Sequence, residues 1–124
     1  LVGSVDRATA LDYQRRSHVL VLVDHPRPWP ASNAPGKFFE YLSTRRPILA
    51  LCGAGEVRRM VIDLDAGFCA PPSDVNGIRA ALVEVWSRFR TGALPTCAAD
   101  LSHFHRRELT RQLAACFDEV LEVA

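Results

Sequence analysis

Long apolar runs are missing from this chain. The two longest, Val19–Val23 and Ile48–Cys52, hold five or so residues, where roughly twenty are needed to cross a bilayer. No charged-then-apolar leader with a small-residue cleavage site opens the chain, so a secretory signal is not expected. A surplus of one charge is missing too: fifteen Lys and Arg face fourteen Asp and Glu. Nucleic-acid binders need a basic face with a clear excess, and that class is set aside. The four cysteines, Cys52, Cys69, Cys97 and Cys116, form no C-x-x-C pair. Zinc and thioredoxin-like chemistry are thereby disfavoured, and buried reduced thiols are expected. Lysine is nearly missing, with Lys37 the only one. The arginine preference reflects genome composition before phosphate chemistry.

What remains is a globular composition. With 124 residues, 48% hydrophobic and 23% charged, one domain that buries about two-thirds of its unfolded surface, with no disulfide or metal staple required, is the expectation. The chain begins at Leu1 rather than methionine, which suggests a piece of a larger protein.

Two kinds of apolar run alternate. Leu1–Val5 is short and β-branched and suits the tail of a strand. Asp6 reads as an N-cap of a helix reaching Arg16. His18–Val23 is continuously apolar after its histidine, the pattern of a strand buried on both faces of a parallel sheet. Four prolines make a loop of Asp24–Pro35, and Pro35 suits the first turn of a helix running to about Arg45. Pro47–Cys52 is the next strand, followed by a helix from Glu56 to about Leu64 and a short strand over Gly67–Ala70. Asp74 caps a long helix carrying Ile78, Leu82, Val85 and Phe89 at helical spacing. A final helix over Arg106–Val123 has Leu109, Leu113, Cys116, Phe117, Val120 and Leu121 on one face. Repeated strand–helix units predict an α/β, Rossmann-like parallel sheet with helices on both faces.

Ligands of such sheets sit beyond the carboxyl ends of the strands, where helix N-termini converge. The loop after Val23 is the most unusual segment there. It leads Asn33-Ala-Pro-Gly-Lys37 into a helix whose next polar residue is Glu40. Unpaired N–H groups at a helix start, with Gly36 allowing close approach, suit a phosphate. Lys37 opposes the helix dipole in that first turn, which makes more sense with an anion bound. A Walker loop is rejected, because Ala31 stands at the upstream glycine position and Phe38 where Ser or Thr is required. A dinucleotide fingerprint is rejected because Arg58 replaces the third glycine after Gly53-Ala-Gly55.

The run Pro35-Gly-Lys-Phe-Phe-Glu-Tyr-Leu-Ser-Thr-Arg-Arg-Pro-Ile-Leu-Ala50 resembles the nucleotide-binding segment of GT-B glycosyltransferases of the group 1, family 4-like kind. Many members write it P-x-K-x-x-E-Y-L, a small residue, three variable positions, proline and an apolar residue. Leu1-Val-Gly-Ser-Val5 and the Tyr13-Gln14 helix resemble the upstream run. Ala66-Gly67-Phe68 and Pro72–Asp74 match the family's A-G-x-x-x-x-P-x-D stretch. The likeness covers nearly the whole chain, read as the later part of a C-terminal donor-binding domain, residues 1–124.

In such enzymes the carboxylate equivalent to Glu40 accepts hydrogen bonds from ribose hydroxyls, while the helix start, here Pro35, Gly36 and Lys37, faces the diphosphate. A second glutamate that meets the donor sugar is replaced here by Ser32, so sugar recognition does not carry over to that position. The family's diphosphate-neutralising base falls before Leu1. The resemblance implies a nucleotide diphosphate sugar as ligand, an N-terminal acceptor-binding domain of the same protein as partner, metal-independent transfer and no cofactor. No catalytic residue is assigned. A cytoplasmic location is implied, at or near the inner face of a membrane, with the Arg pairs 15–16, 45–46, 58–59 and 106–107 as solvated helix ends able to touch anionic lipid.

Blander readings stand beside these. Glu40 would also serve as a partner of Arg45 or Arg46, and Lys37 as a solvated charge. Asp24 and His25 suit a capped loop start better than a base contact, and Trp29 a loop anchor. His103 and His105 lack a third ligand. The rival functions are a Rossmann-like α/β binding or interaction domain without catalysis, and a flavodoxin-like receiver, which needs an acidic cluster where only Asp24 is available. If early strands are missing, a bare sheet edge should drive self-association.

Overall fold

The structure, a computed structural model, describes residues 2–24 and 32–123. Helix α1 spans Arg7–Arg16, strand β1 Leu20–Val23, helix α2 Gly36–Ser43 and strand β2 Ile48–Leu51. Helix α3 follows over Glu56–Asp63, strand β3 over Gly67–Ala70, helix α4 over Val75–Thr91 and helix α5 over Arg106–Val123. A 3-10 turn over Ser102–Phe104 precedes α5. The strands form one parallel sheet in the order β1-β2-β3, with Leu20 level with Ile48 and Ile48 level with Gly67. This is an α/β, Rossmann-like arrangement. Residues 2–5 are not a strand, contrary to the reading of Leu1–Val5.

The pleat sorts the side chains into two faces. Leu22 and the register partners Ile48 and Ala50 join Phe38 and Leu42 of α2 and Val57, Met60 and Val61 of α3 in the buried core. On the other face Phe68 lies under the Arg88 guanidinium of α4, 5.4 Å from its ring centre. Helices therefore cover both faces.

The cover is incomplete, and the expectation of a first strand buried on both sides fails. Leu20 and Leu22 are buried, but Val21 is 51% and Val23 64% exposed. The strand lies at the sheet's edge, and α4 packs chiefly against β3, reaching the chain just before β1 where Phe89 meets the His18 ring edge-on, ring centres 4.8 Å apart. Helices α4 and α5 have the predicted amphipathic patterns, yet α4 buries none of its residues fully. Leu113, Phe117 and Leu121 of α5 are exposed. Cys52 and Cys97 are buried as expected, whereas Cys116 stands exposed on α5.

Local signals explain the helix ends. Asp6 accepts a 2.9 Å bond from the Thr9 amide and Asp74 a 2.9 Å bond from the Gly77 amide, each a side-chain N-cap. Gly92, in the left-handed region at φ 68°, ends α4. Arg45 also has a positive φ, 60°, just past α2. Its guanidinium donates to the carbonyls of Cys97 (2.9 Å) and Ala99 (2.5 Å), holding the segment between α4 and α5 against the core. Arg46 donates to the Arg15 carbonyl at 2.9 Å. The pair expected to be solvated helix ends is thus a pair of tertiary clamps.

In α5, the Arg111 guanidinium (2.7 and 2.9 Å) and then the Gln112 amide hold the Glu108 carboxyl down at about 2. A depressed folded value stabilises above the unfolded one, near 4.5, and the contribution is lost as pH falls towards about 2. An NMR titration of the Glu108 carboxyl should show its midpoint well below that of a free glutamate. Glu108→Gln should remove that part of the acid response; an ordinary midpoint near 4.5 would contradict the network.

Candidate functional site

Parallel pairing places the ends of all three strands at one sheet edge, and the helices that follow begin there. Helix α2 starts at Gly36, α3 at Glu56 and α4 at Val75. Helix α1, running back before β1, starts beside the second turn of α2: Arg7 pairs with Glu40 at 3.2 Å.

Four helix starts thus lie at the carboxyl ends of the strands, and their chemistry differs. Asp6 caps α1, Asp74 caps α4, and Glu56 occupies the first turn of α3. Helix α2 has none of these. Its N-cap is Pro35, extended at φ −68° and ψ 149°, and no side chain caps it. No acid stands in its first turn, where Gly36 and the exposed Lys37 are found. Negative charge stabilises a helix start by completing its unpaired N–H groups and its dipole. Here the protein supplies a lysine instead.

Burial fixes the orientation of that turn. The Phe38 ring is fully buried and Leu42, one turn on, is 2% exposed. With both on the core side, Gly36, Lys37 and Glu40 fall elsewhere on the helix. Four residues separate Gly36 from Glu40, about 6 Å along the axis. The Glu40 side chain is 36% exposed, and Arg7 approaches one of its oxygens, leaving other lone pairs on the carboxylate. The ion pair is the one the bland reading foresaw, but its partner is Arg7 rather than Arg45 or Arg46. Tyr41 is half-buried, and burial, with the Glu40 charge second, raises its phenol above the ordinary value. Ser32 is exposed in the non-regular segment leading to Pro35. The structure therefore brings Pro35, Gly36, Lys37 and Glu40 onto one turn and a half of helix.

Other expected residues fall differently. His25 and Trp29 lie outside the described residues. Asp24 follows β1 with its amide bonded to the Leu51 carbonyl at 2.9 Å. His103 rests against Phe104, ring centres 3.8 Å apart, and no group able to hold a metal occurs among the described residues. A hollow of about 380 Å³ lies beyond the other end of α2, lined in part by Leu42, Arg45 and Leu101, away from the helix start.

Two features at the strand ends escaped the sequence reading. Cys52, just past the end of β2, and Cys69 of β3 hydrogen-bond through their thiols. The bond from Cys69, helped by the Arg58 charge, lowers Cys52 against the effect of burial. The same bond, and burial after it, push Cys69 up. Arg58, expected to be a solvated helix end, is partly buried and sets positive charge beside these thiols. The signal was present: Arg58 lies three residues after Gly55, in the first turn of α3.

No protein-family model, curated protein or solved structure matches the chain. No helix among the described residues is long and apolar enough to cross a membrane.

Proposed function

We propose that this chain binds the nucleoside diphosphate part of a nucleotide sugar at the start of α2, as the donor-binding portion of a GT-B-type glycosyltransferase. The observation that supports it best is the contrast among helix starts. Of the four at the strand ends, α2 alone lacks a carboxylate in its cap and first turn, and it carries Lys37. The diphosphate would meet the amides after Pro35, with Lys37 and Arg58 as positive charges on that edge. Its ribose, one turn along, would donate hydroxyl hydrogen bonds to Glu40. Charge that grows on a departing diphosphate is stabilised by such fixed donors. The motif resemblance over Pro35–Ala50 supports the same assignment.

Arg7 and ribose compete for Glu40 in this reading. Removing a charged hydrogen-bond partner costs roughly 1.5–3 kcal/mol, about ten- to a hundredfold in affinity. Calorimetry with a nucleoside diphosphate should show Glu40→Gln weakened by that factor. Arg7→Ala should bind as well as the parent or better, since an exposed ion pair contributes little and its loss frees the carboxylate. Equal losses from both substitutions would mean that the ion pair matters only as structure, and the ribose assignment would be wrong.

A nucleotide sugar is half of a transfer reaction. The acceptor, in this proposal, is held by a separate N-terminal domain of the same protein, at the inner face of a membrane. The 124 residues supplied with donor sugars and candidate acceptors should therefore release no nucleoside diphosphate above the buffer rate. Acceptor-dependent turnover by the chain alone would overturn the reading.

A further inference from the structure

The outer edge of β1 carries an unusual symmetry. Amides of Leu20 and Asp24 bond to β2, to the carbonyls of Pro47 and Leu51, each at 2.9 Å. Successive peptide groups of a strand point to opposite sides, so the N–H and C=O groups of Val21 and Val23 point away from β2, to an edge that no strand occupies among the described residues. The valine side chains on the α4 face are 51% and 64% exposed. Strands left at edges are ordinarily protected by a lysine, a proline or a bulge, and β1 has none of these over Leu20–Val23.

The sequence of this edge, His18-Val-Leu-Val-Leu-Val-Asp24, reads alike in both directions across its five central residues. We infer that β1 pairs antiparallel with β1 of a second copy about a two-fold axis through Val21, joining two three-stranded sheets into one of six. In that register Val21 lies opposite Val21 of the other copy, Leu20 opposite Leu22, and Val19 opposite Val23. His18 falls level with Asp24, so no like charges are opposed at the ends of the pairing.

The hydrogen bonding agrees with this register and with no one-residue shift of it. Val21 and Val23 have their backbone groups outward, and an antiparallel pair exchanges two bonds where such residues face each other. Centring on Val21 sets outward groups against outward groups at 21 with 21 and at 19 with 23. A one-residue slip would set outward groups against groups that already bond β2. A two-residue slip, centred on Leu20 or Leu22, keeps the bonding but breaks the match of the palindrome, setting His18 against Leu22 or Asp24 against Leu20. The pairing also places equal-sized β-branched side chains in contact on the exposed face, where cross-strand pairs stabilise a sheet. A six-stranded sheet is of ordinary size. The inference concerns the sheet edge of these 124 residues and does not depend on nucleotide binding.

The test uses the whole 124-residue chain with Cys116→Ser, which removes the exposed thiol. Light scattering over rising concentration should approach twice the mass of one chain. Val21→Pro should return it to the single-chain mass with an unchanged circular dichroism spectrum, because the lost N–H points outward and proline is tolerated on edges. Cross-linking decides the register, and decides the matter alone should the proline variant not fold. Val21→Cys should close a disulfide between two copies under an added oxidant, which takes up the two thiol hydrogens. The Cα atoms of facing residues are then about 5.5 Å apart, within disulfide range. Val23→Cys should not cross-link to itself but should do so when mixed with Val19→Cys. A single-chain mass at every concentration would overturn the inference. So would a doubled mass that persists in a folded Val21→Pro variant, or cross-linking of Val23→Cys to itself as efficient as that of Val21→Cys.

Discussion

Gly67→Ala should lower the stability of the fold by about 3 kcal/mol or more, the sum of backbone strain and overpacking. Gly67 opens β3 with φ 149°, a conformation that side chains rarely adopt. A Cβ built there would run into the backbone of Ile48 on the neighbouring strand: it would meet the carbonyl oxygen, lie 2.6 Å from the nitrogen and 2.8 Å from the carbonyl carbon. Those atoms belong to β2, the centre of the sheet, and cannot step aside as a flexible side chain would. Ile48 itself donates to the Ala66 carbonyl at 2.8 Å, so relief at Gly67 must disturb the first rung of the ladder. Urea unfolding should show a large drop in midpoint with an unchanged slope. A midpoint within experimental error of the parent would mean that the chain enters β3 by another path.

Phe38→Ala should cost about 3–5 kcal/mol, the usual range for emptying a buried aromatic site. The ring is fully buried, joins Leu22, Ile48 and Ala50 in the core, and meets the Phe39 ring edge-on at 5.6 Å between centres. It is also the residue immediately after Lys37, so it sets how the first turn of α2 is presented. Nucleoside diphosphate affinity should fall with stability in Phe38→Ala. Phe38→Leu, which keeps most of the volume, should recover the larger part of both. Thermal unfolding followed beside calorimetry checks the two together. Stability lost with affinity intact would separate the helix start from the core beneath it.

The element order was legible because each signal is local. Asp6 and Asp74 cap helices from their own positions, Gly92 ends α4 by adopting a positive φ, and the apolar runs at 48–51 and 67–70 are strands. The Pro35–Glu40 grouping was legible for the same reason, since helical spacing alone puts these residues within two turns. Burial was less so. Val21 has the same apolar character as Leu49, yet Leu49 is 2% and Val21 51% exposed. The difference is place in the sheet, centre against edge, and no residue in β1 encodes it. Contacts that cross the chain were also hidden. Glu40 was expected to pair with an arginine five or six residues on, and it pairs with Arg7, 33 residues back, because α1 and α2 start side by side. Arg45 looked like a solvated end; its left-handed backbone turns the guanidinium onto carbonyls more than 50 residues away.

The strand order β1-β2-β3 bears on how the chain reaches this shape. Among the described residues every strand pairs with the strand next to it in sequence, and none is inserted between two earlier ones. The sheet can therefore extend in the direction of synthesis: as β2 leaves the ribosome it finds β1 already waiting, and β3 then adds to β2. Chains assembled N-terminal part first, as proteins are during translation, suit such a sequence of additions. Pairing partners lie 28 residues apart from β1 to β2 but only 19 from β2 to β3. The shorter closure carries the smaller entropic cost. On refolding from denaturant, where the whole chain is present at once, the β2–α3–β3 unit should accordingly form ahead of β1. The chain would then follow one order of assembly in the cell and another in the test tube.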